Sequence, residues 1–135
     1  MKFREHQIQV GIVKYLRANG ILVFAIPNGG QRSAKTGAFL KEEGVMAGVA
    51  DLIILLPECA IFVEVKNTNG TQQRTQTAFQ KRVEELGFKY YVWRSVDDAV
   101  DFLRKIGMLT KTGSKYDCNQ PDIDELECYI KGEQL

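Results

Sequence analysis

Four polar side chains sit where an apolar pattern leaves them no ordinary place. In Ile61-Phe62-Val63-Glu64-Val65-Lys66 the two-residue period of a strand puts Glu64 and Lys66 on one face and Ile61, Val63 and Val65 on the other. Asp51 opens the preceding apolar run, directly after Gly48-Val49-Ala50, and a hairpin between the two runs brings it toward Glu64 across the ladder. On a helical wheel Glu5 lies within about 20° of Ile12 and Leu16, and Gln76 lies about 20° from Val83 and about 60° from Phe79. Both point along an apolar stripe. An unpaired buried carboxylate costs several kcal/mol and calls for a partner or a cation. Two converging carboxylates repel each other, and a hard divalent cation such as Mg²⁺ relieves the repulsion. Such an ion takes few carboxylates and several waters, and often bridges to a substrate phosphate.

Each residue alone has a plainer role. Glu64 and Lys66 can pair on an exposed strand, Glu5 suits the first turn of a helix, Gln76 can face solvent and Asp51 can mark a strand entry. The ordered set is what points to chemistry: a helical Glu, an Asp, a hairpin, Glu-x-Lys and a helical Gln. Pro27-Asn28-Gly29-Gly30 reads either as a nest of backbone amides for an anion or as a simple turn. His6 is the only histidine, so it offers neither a zinc site nor a Ser-His-Asp set.

The elements that must position these residues follow from periodicity. Residues 4–19 predict a helix closed by Asn19-Gly20, residues 21–26 a strand, and residues 32–43 a short basic helix ended by Gly44. Residues 51–56 and 60–66 predict an antiparallel hairpin turning through Pro57-Glu58-Cys59. Residues 75–86 return to helical period, residues 89–94 read as a strand, and a last helix begins at Ser95, where Ser95 and Asp98 resemble a capping box. A crossover helix between the third and fourth strands requires a parallel pair. The fold class is therefore α/β, with a mixed sheet of about four strands flanked by helices. From Thr110 the chain is polar and acidic, with a weak helical hint over 123–130.

The chain of 135 residues, 44% hydrophobic and 26% charged, has the composition of a folded globular domain and room for one core. Its net charge of +1 averages two unequal parts. Residues 1–105 carry 15 Lys/Arg against 11 Asp/Glu, and residues 106–135 carry 3 against 6, giving a basic body and an acidic tail. Three dispersed cysteines, Cys59, Cys118 and Cys128, imply neither a disulfide framework nor a zinc knuckle and fit a reducing cytoplasm. No signal or membrane segment is expected.

These residues resemble the VRR-NUC family of the PD-(D/E)XK nuclease superfamily over about residues 4–103. The likeness is carried by Glu5 with Gln9, Pro27-Asn28-Gly29-Gly30 with Arg32, Leu40-Lys41, Gly44-Val45, Gly48-Val49-Ala50-Asp51-Leu52, Phe62-Val63-Glu64-Val65-Lys66, Gln76 and Gly87-Phe88. Ala50 stands where the family commonly has proline, a backbone preference with no chemical role. The resemblance implies a restriction-endonuclease-like αβββαβ core, with a nuclease domain at 1–106; residues 107–135 lie outside it and read as an acidic appendage from their composition. It also implies Mg²⁺-dependent hydrolysis of DNA phosphodiesters, with Mn²⁺ as a substitute and no small-molecule cofactor. Asp51, Glu64 and the Val65 backbone carbonyl would hold the ion, and Glu5 would complete the cluster directly or through a water. Lys66 would orient the attacking water or stabilise developing charge, and Gln76 would position Lys66 or the phosphate. Arg32, Lys35, Lys41 and Arg74, with Asn28 and Gly29, would contact DNA. Single-domain relatives resemble Holliday-junction resolvases, so the expectation is a homodimer cutting branched DNA, in the cytoplasm of a bacterium or of a virus's host. A flap or other structure-specific nuclease, or a nucleic-acid-binding module that does not cut, is the alternative.

Overall fold

The computed structural model describes residues 2–27 and 34–111. The elements run α1 (Lys2–Ala18), β1 (Leu22–Ala25), α2 (Ala34–Glu42), β2 (Leu52–Leu56), β3 (Cys59–Val65), α3 (Arg74–Glu85), β4 (Lys89–Trp93) and α4 (Val96–Lys111). The strands form one sheet in the order β1-β2-β3-β4. β1 and β3 flank β2 antiparallel, and β4 lies parallel to β3. The crossover through α3 requires that last pairing, as the element order predicts.

Alternation along the strands sorts the sheet into two faces. Val23, Leu52, Ile54, Ile61, Val63, Val65 and Trp93 are buried on one, against Ile12 and Leu16 of α1 and Ala99, Phe102 and Ile106 of α4. Truncating one of these large side chains to alanine costs about 2–5 kcal/mol. α1 and α4 approach so closely that a Cβ on Gly11 would come 2.8 Å from Val96 Cγ2. α3 covers part of the opposite face, packing Phe79 and Val83 with Phe62, Tyr90 and Val92. Gly87 ends α3 at φ +89°, and the amide of Phe88 behind it donates to Val83 O at 3.1 Å, a left-handed stop that glycine adopts without strain.

Two details differ from the sequence-based expectation. The hairpin turns on Pro57 and Glu58 alone, with Glu58 at φ +59°, and Cys59 already pairs with Leu56 as the first residue of β3. Cys59 is also disulfide-bonded, where its isolation along the chain left no disulfide framework to expect. α4 itself runs to Lys111. The acidic residues after Lys111 and the Asn28-Gly29-Gly30 stretch lie outside the described residues. Among the described residues no helix is long and apolar enough to cross a membrane.

Candidate active site

β2 and β3 bring the two carboxylates together because Leu52 pairs with Val63, which sets Asp51 and Glu64 one step further along the ladder on the face opposite the α1–α4 core. Asp51 Oδ2 accepts the Val65 N–H at 2.8 Å, and the two carboxyl groups interact directly. In an extended strand the N–H and C=O of one residue share an edge, so the Val65 carbonyl looks to the Asp51 side. Glu64 is 2% exposed, an unusual setting for a carboxylate on a central strand.

Partners surround Glu64 on several sides. Gln76 Nε2 donates to Oε1 at 3.0 Å, the Tyr90 hydroxyl lies 3.4 Å from Oε2, and Lys66 Nζ stands 3.8 Å from Oε1. Burial first, and then the neighbouring Asp51 charge and hydrogen bond, push the Glu64 acid up to about 8, with Lys66 and Tyr90 offsetting part of the rise. Burial, and then the charge of Glu64, also push the Tyr90 phenol up. Without a cation the acidic pair holds a proton at neutral pH.

Gln76 uses both ends of its amide. Its Oε1 accepts the Gln73 N–H at 2.8 Å, closing the first turn of α3, which leaves the NH₂ group aimed at Glu64. The family resemblance gives Gln76 the role of positioning Lys66 or a phosphate; its hydrogen bond in the structure goes to Glu64, whose same oxygen faces Lys66. Behind it, Gln72 Nε2 reaches the Tyr90 hydroxyl at 3.3 Å and Gln80 Oε1 at 3.0 Å. The phenol therefore accepts from Gln72 and donates to Glu64.

Glu5 arrives from the first turn of α1. Its Oε1 accepts from the Asn67 N–H at 3.5 Å, and a Cβ on Gly70 would lie 3.2 Å from that oxygen and 3.4 Å from Lys66 Cβ. Glu5 thus stands against the turn that follows Lys66. Among the described residues no group of three or more Asp, Glu, His or Cys side chains gathers to hold an ion, so the carboxylate donors are the Asp51–Glu64 pair. Arg94 fixes the same turn by donating from Nη1 to Asn67 O at 2.8 Å and Gly70 O at 2.7 Å.

Of the cations expected to meet DNA, Lys35 and Lys41 are exposed on α2 and Arg74 is exposed at the start of α3. Arg32, Asn28 and Gly29 lie outside the described residues. Sequence reasoning missed Tyr90, Gln72, Asn67 and Arg94. Tyr90 carried a faint signal, since alternation in Lys89-Tyr90-Tyr91-Val92-Trp93 and the Phe62–Tyr90 register put it on the Glu64 face.

The donor chemistry fits a hard divalent cation. Two carboxylates that cannot both ionise comfortably, with a main-chain oxygen on the same edge, match an ion that takes few carboxylates and keeps several waters. No protein-family model matches the chain, and no curated protein matches it. Two solved structures share its fold. One, named as a VRR_NUC domain, is 23% identical with a TM-score of 0.56, and the match covers 75% of this chain and 95% of that one. The other, a VRR_NUC domain protein, is 18% identical with a TM-score of 0.59, covering 76% of this chain and 88% of that one. The chain has the restriction-endonuclease-like α/β fold seen in those domains.

Proposed function

We propose that the chain is a VRR-NUC-type nuclease that hydrolyses DNA phosphodiesters with Mg²⁺, for which Mn²⁺ substitutes. The observation that carries the reading is the junction of Asp51, Glu64 and Lys66 at one end of the β2–β3 hairpin, on a fold shared with VRR_NUC domains. Asp51, Glu64 and the Val65 carbonyl would hold the ion, with Glu5 acting from the side of the Asn67 turn. When bound there, the ion would supply positive charge beside the phosphate and lower the pKa of a coordinated water.

The chain's own residues do the positioning. Gln76 and Tyr90 restrain the Glu64 carboxylate from two sides, so its oxygens need not reorganise when charge develops. Lys66 is 8% exposed and presents its amine beside Glu64, where it orients the attacking water or donates to the oxygen that gains charge at phosphorus. Lys35, Lys41 and Arg74, with Arg32 and the Asn28-Gly29 segment, hold the DNA backbone, which gives affinity without reading sequence.

The substrate we assign is branched DNA, with four-way junctions ahead of flaps, and the assembly is a C2 homodimer, because paired symmetric cuts need two active sites. The acids at the centre favour an enzyme over a pure binding module, which gains nothing from carboxylates aimed at phosphate. The test uses purified protein on labelled four-way junction, flap, duplex and single-stranded DNA with Mg²⁺, Mn²⁺ or chelator. Metal-dependent cutting of the junction is expected, and no cleavage under any metal would sink the reading. A monomeric mass by light scattering at working concentration counts against the homodimer.

A further inference from the structure

A cavity of about 320 Å³ opens beside the acidic pair. Asp51 and Gln76 form the wall it shares with the site; Leu40, Val45, Met46 and Val49 line the rest, with Lys41 among them. Its floor depends on Gly48, at φ +85°, whose missing side chain lets the α2–β2 loop rest on the Thr75 backbone carbonyl; any Cβ there would collide with it. Met46 is 59% exposed and Val45 39%, leaving apolar side chains open to solvent next to a charged centre.

We propose that this cavity receives an unpaired nucleobase, on the nucleotide adjoining the scissile phosphate. The inference rests on the nuclease reading and names the feature of the DNA that the site prefers. The volume falls at the lower end of pockets that take small ligands, enough for one base and too small for a base pair still stacked in a duplex. The lining is amphipathic in the way a base is: apolar side chains for its faces, with the polarisable thioether of Met46 among them, and the Gln76 side for its polar edge. Lys41 adds the positive charge that a flanking phosphate requires. A nucleotide whose phosphate meets Asp51 and Glu64 has this half-open cavity directly beside it. A duplex must extrude a base to fill it, whereas a base unpaired at a junction or flap enters without that penalty. The cavity thereby makes the site selective for interrupted duplexes.

The test uses the full chain in chelator, where binding is read without cutting. 2-Aminopurine is placed in turn at each position around the branch of a junction and a flap, and at the same positions in matched duplex. The expected result is a fluorescence change at one unpaired position, absent from the duplex and abolished by Met46→Glu, an exposed substitution that leaves the core untouched. Leu86→Ser, in the neighbouring apolar groove, leaves the change intact. With Mg²⁺, removing the base at that position lowers kcat/KM by about tenfold, as loss of one base contact does, and Met46→Glu erases the difference between intact and abasic DNA. DNA binding with no base-specific signal, or an equal signal in duplex, overturns the inference while cleavage keeps the nuclease reading. The signal without cleavage under any metal supports the cavity and overturns the nuclease reading.

Discussion

Glu64 is the residue on which the rest of the site converges, and its chemistry has a sign that can be checked. The unfolded chain releases this proton near the ordinary 4.5 and the folded chain near about 8. Between those values the unfolded state binds fewer protons, so the stability of the metal-free protein falls as pH rises through that window. Thermal unfolding in chelator is expected to show Tm declining across it. Asp51→Asn removes the repelling charge, flattens the decline and raises Tm at the alkaline end; a Tm that does not respond contradicts the coupling of the two acids. The same variant, like Glu64→Gln, is expected to lower cleavage by more than about 100-fold, the scale on which removing a principal charge-stabilising group acts, while DNA binding is kept or strengthened. If the proposed ion enters the site it must displace the proton, so Mg²⁺ binding at neutral pH is expected to release close to one proton and to tighten as pH rises toward 8. Titration calorimetry in buffers of different ionisation enthalpy reads this directly, and Glu64→Gln abolishes the release.

At the scale of elements, the α2–β2 loop and the first turn of α3 are set by a single close approach. Gly48→Ala places a methyl group against the Thr75 carbonyl at a positive φ, and is expected to destabilise the fold by about 2–4 kcal/mol. Because Gln76 follows in the same turn, the variant also loses activity at temperatures where it remains folded; full activity there would mean that this contact does not hold the turn. The elements themselves were legible. Alternation and helical period predicted the eight segments, and the crossover rule predicted the parallel β3–β4 pair. The Asp51–Glu64 approach was legible too, since a hairpin register and a two-residue period suffice to derive it. The Tyr90–Gln72 support and the Arg94 clamp on Asn67 were not. They join residues 18 and 27 positions apart, and depend on how the crossover returns β4 beside β3, which periodicity does not encode. Gln76 was placed on the correct face, but its partner turned on a helix-capping bond to Gln73.

Over the whole molecule, charge is divided unevenly along the chain. The basic residues 1–105 contain both the acidic pair and the exposed Lys35, Lys41 and Arg74, while residues 106–135 are acidic. Binding to DNA in chelator should therefore weaken steeply with salt, and each of Lys35→Ala, Lys41→Ala and Arg74→Ala should reduce the slope of log K against log salt by about 1. An unchanged slope removes that residue from the phosphate-contacting set. The hydrogen bond from the Val65 amide to Asp51 has a use beyond holding the strand end. Its acceptor belongs to the acidic pair itself, so the proton on that nitrogen is a built-in spectroscopic probe. In a ¹⁵N-labelled sample the Val65 cross-peak should move when the charge facing Asp51 changes, as Glu64 titrates or on addition of Mg²⁺. The state of the acidic pair can then be followed at one resonance, with no nucleic acid in the tube.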